Sequence, residues 1–488
     1  MAKTDTKTPQ QEAREAALEQ LAVLGGKLIT EDDIVRRGNK YILPANSNWD
    51  ADIDVLVARR DEEETDTTFN RTFNYRPMDG ARATANAIKE FTGMPPAGTW
   101  HWFFGRELPD MIDVRTGPHP GDVEQVPWGR MTIPGLHGLV LNLGEGRHKE
   151  FGRVFQIHAS GPRKYRYHAK GLFDLIEKHL REDSIFRGKA IDGGENFIDV
   201  NIIDPRDVVF TASVQRRLEG DVWAFIRHEK LLAQLGQDGK FTVLFEGDYG
   251  TGKTLAALIT AQIAVEHGWT FLMCRPGKDN LVEAMEMVRM YQPAVLFAED
   301  VDTTAGAGSG NTIERHLDLL DGIQVKGLRL LTVFTTNHPE DIHKGILRAK
   351  RIGAVISIGA MDRPGVEQLG RRVIGAALEP DVDWDAVFTS VEGYMPSFVR
   401  EVFDRSVRYA ITLPPNEGEL GTIGTEAICL AADSLRDQQR LMEGAKEEVR
   451  QTDLATAFER VVTDAVNGTQ VVDGDGDYIY ELAAANGD

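Results

Sequence analysis

Gly247-Asp248-Tyr249-Gly250-Thr251-Gly252-Lys253-Thr254 is a complete G-x-x-x-x-G-K-[ST] phosphate loop. Gly247, Gly250 and Gly252 let backbone N–H groups turn inward around the β- and γ-phosphates with no Cβ in the way, and a helix starting near Lys253 adds the positive end of its dipole. Lys253 brings a mobile point charge to the β- and γ-oxygens, and the Thr254 hydroxyl suits Mg²⁺. Further on, Glu299-Asp300 closes a short apolar run. Carboxylates at the carboxyl end of a parallel strand face the crevice where a triphosphate lies, so one holds Mg²⁺ and its neighbour polarises the attacking water. Asn337, in Thr335-Thr336-Asn337-His338, offers an amide to orient that water, and Arg348 and Arg351 offer planar cations for the charge spread over the phosphoryl oxygens, often from a neighbouring subunit.

These groups need a particular scaffold. Phe241–Phe245 before the loop is an apolar, β-rich run suited to a buried parallel strand, and Leu255–Ala264 after it is a helix former. Thr270–Cys274, Ala294–Ala298 and Leu328–Phe334 read as further buried strands. Beyond Met361-Asp362-Arg363-Pro364 the chain turns helical, with apolar residues at helical spacing over 366–376, 383–391, 396–411, 423–443 and 452–467.

The order phosphate loop, Leu296–Asp302, Leu319–Gly322, Thr335–His338 and Leu347–Arg351 resembles the AAA family of ATPases across roughly 205 to 470. The resemblance implies an α/β fold: a parallel AAA+ sheet over 205–360 and a helical lid over 361–470. It further implies that Gly247, Gly252, Lys253 and Thr254 form Walker A, Glu299 and Asp300 Walker B, Asn337 sensor 1, and Arg348 and Arg351 the paired arginine fingers. The fingers stand here in an Arg-Ala-Lys-Arg context where the family usually has Arg-Pro-Gly-Arg. The carboxylates stand in inverted order, which resembles the branch containing the mitochondrial complex III assembly ATPase. By position Glu299 takes the metal role and Asp300 the water-activating one, and the shorter aspartate implies slow hydrolysis. The aromatic-hydrophobic-glycine pore triplet of polypeptide unfoldases is missing after Cys274, where Arg275 and Lys278 stand instead; Gly306, Gly308 and Gly310 form a second, glycine-rich pore-facing run. Arg400 falls about where some members carry a sensor-2 arginine, although a solvated helix residue explains it as simply.

Length and charge bound the remainder. At 488 residues the chain holds two to four domains. A net charge of −21 disfavours broad binding to nucleic acid or anionic membrane. Two cysteines without metal-ligand spacing point to a reducing, cytoplasmic setting, and no stretch is apolar enough to span a membrane. Residues 1–26 read as a polar start and a short amphipathic helix, 27–200 as a separate α+β or β-rich recognition domain with a helix at Asp79–Phe91, and 471–488 as an acidic flexible tail.

Within 27–200, Trp49, Trp100, Trp102 and Trp128 either fill a small core or form a recognition surface. Between Arg147 and Lys170 basic and aromatic residues interleave, which suits nucleic-acid binding; the alternation in Val154–Ile157 and Lys164–Tyr167 equally suits strands with a basic outer face. The sequence therefore predicts a homo-oligomeric ring, hexameric by family habit, that hydrolyses Mg-ATP to remodel a protein client held by residues 27–200. A nucleic-acid motor or loader working through 147–170 and a slow, nucleotide-gated scaffold are the alternatives.

Overall fold

The computed structural model describes residues 64–101, 105–205, 208–237, 239–275, 278–301, 329–338, 352–414 and 421–441, with short pieces between 35 and 62. The amphipathic stretch 11–24, Trp49, the side chains of Trp100, Trp102, Phe103 and Phe104, the run 303–310, Arg348, Arg351, the segment 452–467 and the tail lie outside the described residues. Clustering of the backbone gives two units: Met1–Ile191 with Glu195–Ile198 and Met285–Gln292, and Asp192–Gly194 with Asp199–Ala284 and Pro293–Asp488.

In the first unit, alternation of buried and exposed side chains builds an antiparallel sheet. Strands β1 (Asp66–Phe73), β2 (Arg130–Thr132), β3 (Val140–His148) and β4 (Gly152–Pro162) take the order β1-β4-β3-β2, with Phe155 opposite Phe73 and Leu141 opposite Met131. Phe155, Ile157 and Ala159 on β4 are buried while Arg153 and His158 point out, the period-2 signature of a sheet with one dry face. Two helices complete an α+β domain: α1 (Pro77–Thr92) opens on a proline whose fixed φ suits a first turn, and α2 (Arg166–Glu182) buries Ala169, Leu172, Phe173, Ile176 and Leu180 at helical spacing.

The strand reading of Lys164–Tyr167 is corrected here. Pro162 ends β4, Arg163–Tyr165 form a 3₁₀ turn, and Arg166 and Tyr167 open α2. Arg163 pairs with Glu62 and Lys164 with Glu64, while the Arg166 guanidinium lies 4.6 Å from the Tyr167 ring centre. The acidic run at Asp61–Glu64 thus neutralises part of the basic segment. Trp128 is half-buried, as a core role allows.

Five parallel strands lie wholly within the second unit: β5 (Lys240–Glu246), β6 (Thr270–Cys274), β7 (Ala294–Ala298), β8 (Leu330–Thr336) and β9 (Ala354–Ser357), in the order β6-β7-β8-β5-β9; Ala190–Asp192 is the sixth strand of this sheet. β6, β7 and β8 are buried along their whole length, as strands covered on both faces must be. Helix α3 (Lys253–Glu266) follows β5 and buries Ala256, Ala257, Ala261 and Ala264, small side chains that let a helix lie close to a sheet. The approach to β5 is an irregular helical stretch. Ala212–Arg217 continues through a π turn at Leu218–Trp223 to Arg227, and after His228 a separate turn spans Glu229–Gln234. The bulge directs the Trp223 indole N–H onto Thr260 Oγ1 of α3 at 3.0 Å, a buried donor satisfied by a buried acceptor.

The helical subdomain consists of α4 (Arg363–Ile374), α5 (Trp384–Ser390), α6 (Pro396–Thr412) and a helical segment over 425–441. Asp362 caps α4 by accepting from Gly365 N, and Asp383 caps α5 by accepting from Asp385 N and Ala386 N. Their core is shared, with Trp384 and Phe403 edge to face at 6.4 Å among Val387, Val402 and Ile428.

Candidate nucleotide site

The loop between β5 and α3 gathers its geometry from glycine. Gly247, Gly250 and Gly252 adopt φ of 153°, 79° and 105°, values that L side chains rarely take. A Cβ on Gly247 would stand 2.1 Å from the carbonyl oxygen of Ile358 at the end of β9. That carbonyl cannot easily retreat, because Ile358 N donates to Glu246 O at 2.8 Å. The loop is therefore a cradle that a side chain would fill.

Lys253 is buried, and its ammonium donates to the carbonyls of Gly247 (2.6 Å) and Asp248 (2.9 Å) and to Asn337 Oδ1 (2.7 Å). The amide of Asn337 in turn donates through Nδ2 to Asp300 Oδ1 at 2.8 Å. Thr254 Oγ1 donates to Glu299 Oε1 at 2.7 Å. The carboxylates have separated: Glu299 faces the loop threonine, and Asp300 faces the lysine through Asn337. Hydroxyl and carboxylate oxygens converging as Thr254 and Glu299 do are hard donors that fit Mg²⁺. Sheet register makes this possible, since parallel pairing sets Ala298 beside Phe334 and Phe334 beside Leu244, bringing the carboxyl ends of β7, β8 and β5 to one edge.

A cavity of about 630 Å³ opens over this edge. One wall is polar: the loop, Glu299, Asp300 and Asn337. The other is apolar, from Ile202, Val208, Phe210, Met361 and Leu369, as a flat heteroaromatic base requires. Sequence reasoning found the polar wall and missed the apolar one; its signal was the pair of short apolar runs Ile202-Ile203 and Val208-Val209-Phe210 just ahead of the domain. Arg400, read as either a site residue or a solvated one, is both: it lines the cavity from the first turns of α6, yet its side chain is 56% exposed and 3.7 Å from Asp404. Cys274, at the end of β6, is no nucleophile, because burial pushes its thiol up to about 12. Arg348 and Arg351 lie outside the described residues.

A parallel sheet, with a phosphate loop between its strand β5 and helix α3 and carboxylates at the end of the next-but-one strand, defines a nucleoside-triphosphate-binding domain. Residues 243–360 match the family model of the ATPase family associated with various cellular activities (AAA), so this chain carries an AAA ATPase domain. It is also similar to the ATP-dependent zinc metalloprotease FtsH of Lactococcus lactis, 26% identical over 211 residues, which cover 39% of this chain and 30% of that protein. The chain thus spans under a third of the length of this relative. Among the described residues no helix is long and apolar enough to cross a membrane.

Proposed function

We propose that this protein hydrolyses Mg-ATP in a self-assembled ring, with Arg348 and Arg351 acting across subunits, and uses the cycle to remodel a protein client bound by the first unit. The observation that carries the ATPase reading is the linked pair of contacts, Lys253–Asn337–Asp300 and Thr254–Glu299, in one crevice. In this reading Gly247–Thr254 are the Walker A loop, Glu299 and Asp300 the Walker B pair and Asn337 sensor 1. Their Glu-Asp order resembles the branch of the mitochondrial complex III assembly ATPase, and nothing else of that branch is carried over.

Thr254 and Glu299 would hold Mg²⁺, which would supply positive charge against the triphosphate. Backbone N–H groups of the loop and Lys253 bind and orient the phosphates. Asn337 positions Asp300, whose carboxylate takes a proton from the water attacking the γ-phosphorus. Arg400 borders the cavity and adds a cation on the lid side. A protein client, rather than nucleic acid, is supported by the net charge of −21 and by the pairing of Arg163 and Lys164 with Glu62 and Glu64. The 488 residues hold no His-Glu-x-x-His pair of the kind that binds catalytic zinc on a helix.

The test is steady-state ATPase together with nucleotide binding. Lys253→Ala abolishes binding, whereas Asp300→Asn binds ATP and loses turnover. Full ATPase activity in purified Asp300→Asn would sink the assignment. Light scattering with and without nucleotide checks the ring.

A further inference from the structure

Asp300 is one of only two non-glycine residues among those described with a positive φ, at 46°. Left-handed backbone is disfavoured for any residue with a Cβ, and it persists where neighbouring contacts fix it. Two such contacts come from Thr335 on the adjacent strand. Thr335 Oγ1 accepts from Asp300 N at 2.9 Å, and the Thr335 carbonyl accepts from Val301 N at 3.1 Å. Thr335 is 1% exposed and lines the same cavity. It sits two residues before Asn337, which holds the Asp300 carboxylate, so backbone and side chain of Asp300 are gripped by one strand end.

We infer that Thr335 is a positioning residue for turnover: its buried hydroxyl sets the left-handed turn that swings the short Asp300 side chain to Asn337. The inference rests on the ATPase reading and adds to it. An aspartate has one methylene less than a glutamate, so the backbone must supply part of the reach. The β-branched side chain is well suited to this, because Thr has few χ1 choices and its hydroxyl stays aimed at the turn. The usual alternative is that Thr335 merely fills a buried site. It predicts that any side chain of equal shape will serve.

The experiment compares Thr335→Val, which keeps the shape and removes the acceptor, with Thr335→Ser, which keeps the acceptor. Turnover, ATP affinity and hydrogen exchange at the Asp300 amide are measured on the full-length chain. We expect Thr335→Val to lower kcat about tenfold, the loss of roughly one hydrogen bond, with ATP Kd unchanged. Thr335→Ser restores most of kcat. In an Asp300→Asn background Thr335→Val causes no further loss. Exchange at the Asp300 amide quickens about tenfold in Thr335→Val and stays slow in Thr335→Ser. Wild-type kcat in Thr335→Val, or an equal loss in both variants, overturns the inference. If the wild-type chain binds ATP without hydrolysing it, the ATPase reading fails separately. Exchange then decides, and an Asp300 amide unaffected by Thr335→Val overturns the positioning role.

Discussion

Asn337 bridges the lysine of the loop and the aspartate that follows β7, and replacing it with alanine tests the site directly. Asn337→Ala removes an acceptor 2.7 Å from Lys253 Nζ and a donor 2.8 Å from Asp300 Oδ1. Hydrogen bonds to charged groups contribute about 1.5–3 kcal/mol each. Lys253 retains the carbonyls of Gly247 and Asp248, so its position and its hold on phosphate change little. In the proposed mechanism the loss falls on Asp300, whose carboxylate gives up a donor that aims it at the attacking water. A deficit of about 1.5–3 kcal/mol in the transition state lowers kcat roughly 10- to 150-fold, with ATP Kd moving less than about threefold. The assay pairs steady-state phosphate release with equilibrium binding of a fluorescent nucleotide, over a range of protein concentrations. Two results refute the reasoning. One is kcat within threefold of wild type; the other is a rise in Kd equal to the fall in kcat, which would place the lost interaction in the ground state.

Gly247→Ala puts a methyl group into the Ile358 carbonyl oxygen at 2.1 Å and leaves alanine at φ 153°. It therefore costs roughly 1–3 kcal/mol of stability and weakens ATP binding more than tenfold. Thermal melting with titrated ATP checks both, and wild-type affinity would show the loop more pliant than drawn. In the first unit, Asp79 is buried; its carboxylate accepts from Ser184 Oγ at 2.6 Å and Ile185 N at 2.8 Å, and burial raises its pKa from 3.8 to about 6. The folded state therefore holds this proton more tightly than the unfolded chain. The contribution is present below about pH 4 and is lost as pH rises to about 6, a change of roughly 3 kcal/mol. Denaturant unfolding of wild type against Asp79→Asn at pH 4.5 and 7.5 reads it: the variant gains relative stability at the higher pH, and a pH-independent difference would refute the raised pKa.

Chemistry in this chain is legible where it is local. The phosphate loop, its strand and helix, and the runs ending at Glu299-Asp300 and Asn337 are contiguous, and the sheet places them together as their apolar periodicity implies. Lys164–Tyr167 shows where a local signal misleads. Its alternation is real, but Pro162 has already ended the strand, and the period of Ala169, Leu172, Phe173 and Ile176 reaches back to claim Arg166 for a helix. The π turn before β5 ends at Trp223, whose indole N–H has a distant partner, Thr260 of α3. Thr335 carries no signal of its own in the sequence, because it acts on the backbone of a residue that follows another strand. The apolar wall at Ile202 and Phe210 escaped for the same reason: nothing in those residues names the cavity they face.

A hydrogen bond joins the loop to the helical subdomain. At the start of α6, Ser397 N donates to the Gly250 carbonyl at 3.1 Å, and a Cβ on Gly250 would lie 2.3 Å from Ser397 Oγ. The phosphate cradle and the subdomain thus share a joint with almost no clearance. Tilting α6 by even a few degrees pulls on the peptide that shapes the cradle, and refilling the cradle pushes back on α6. A lever resting on so tight a fulcrum would have little lost motion: a small displacement of the Gly250 peptide would reach the far end of a 17-residue helix.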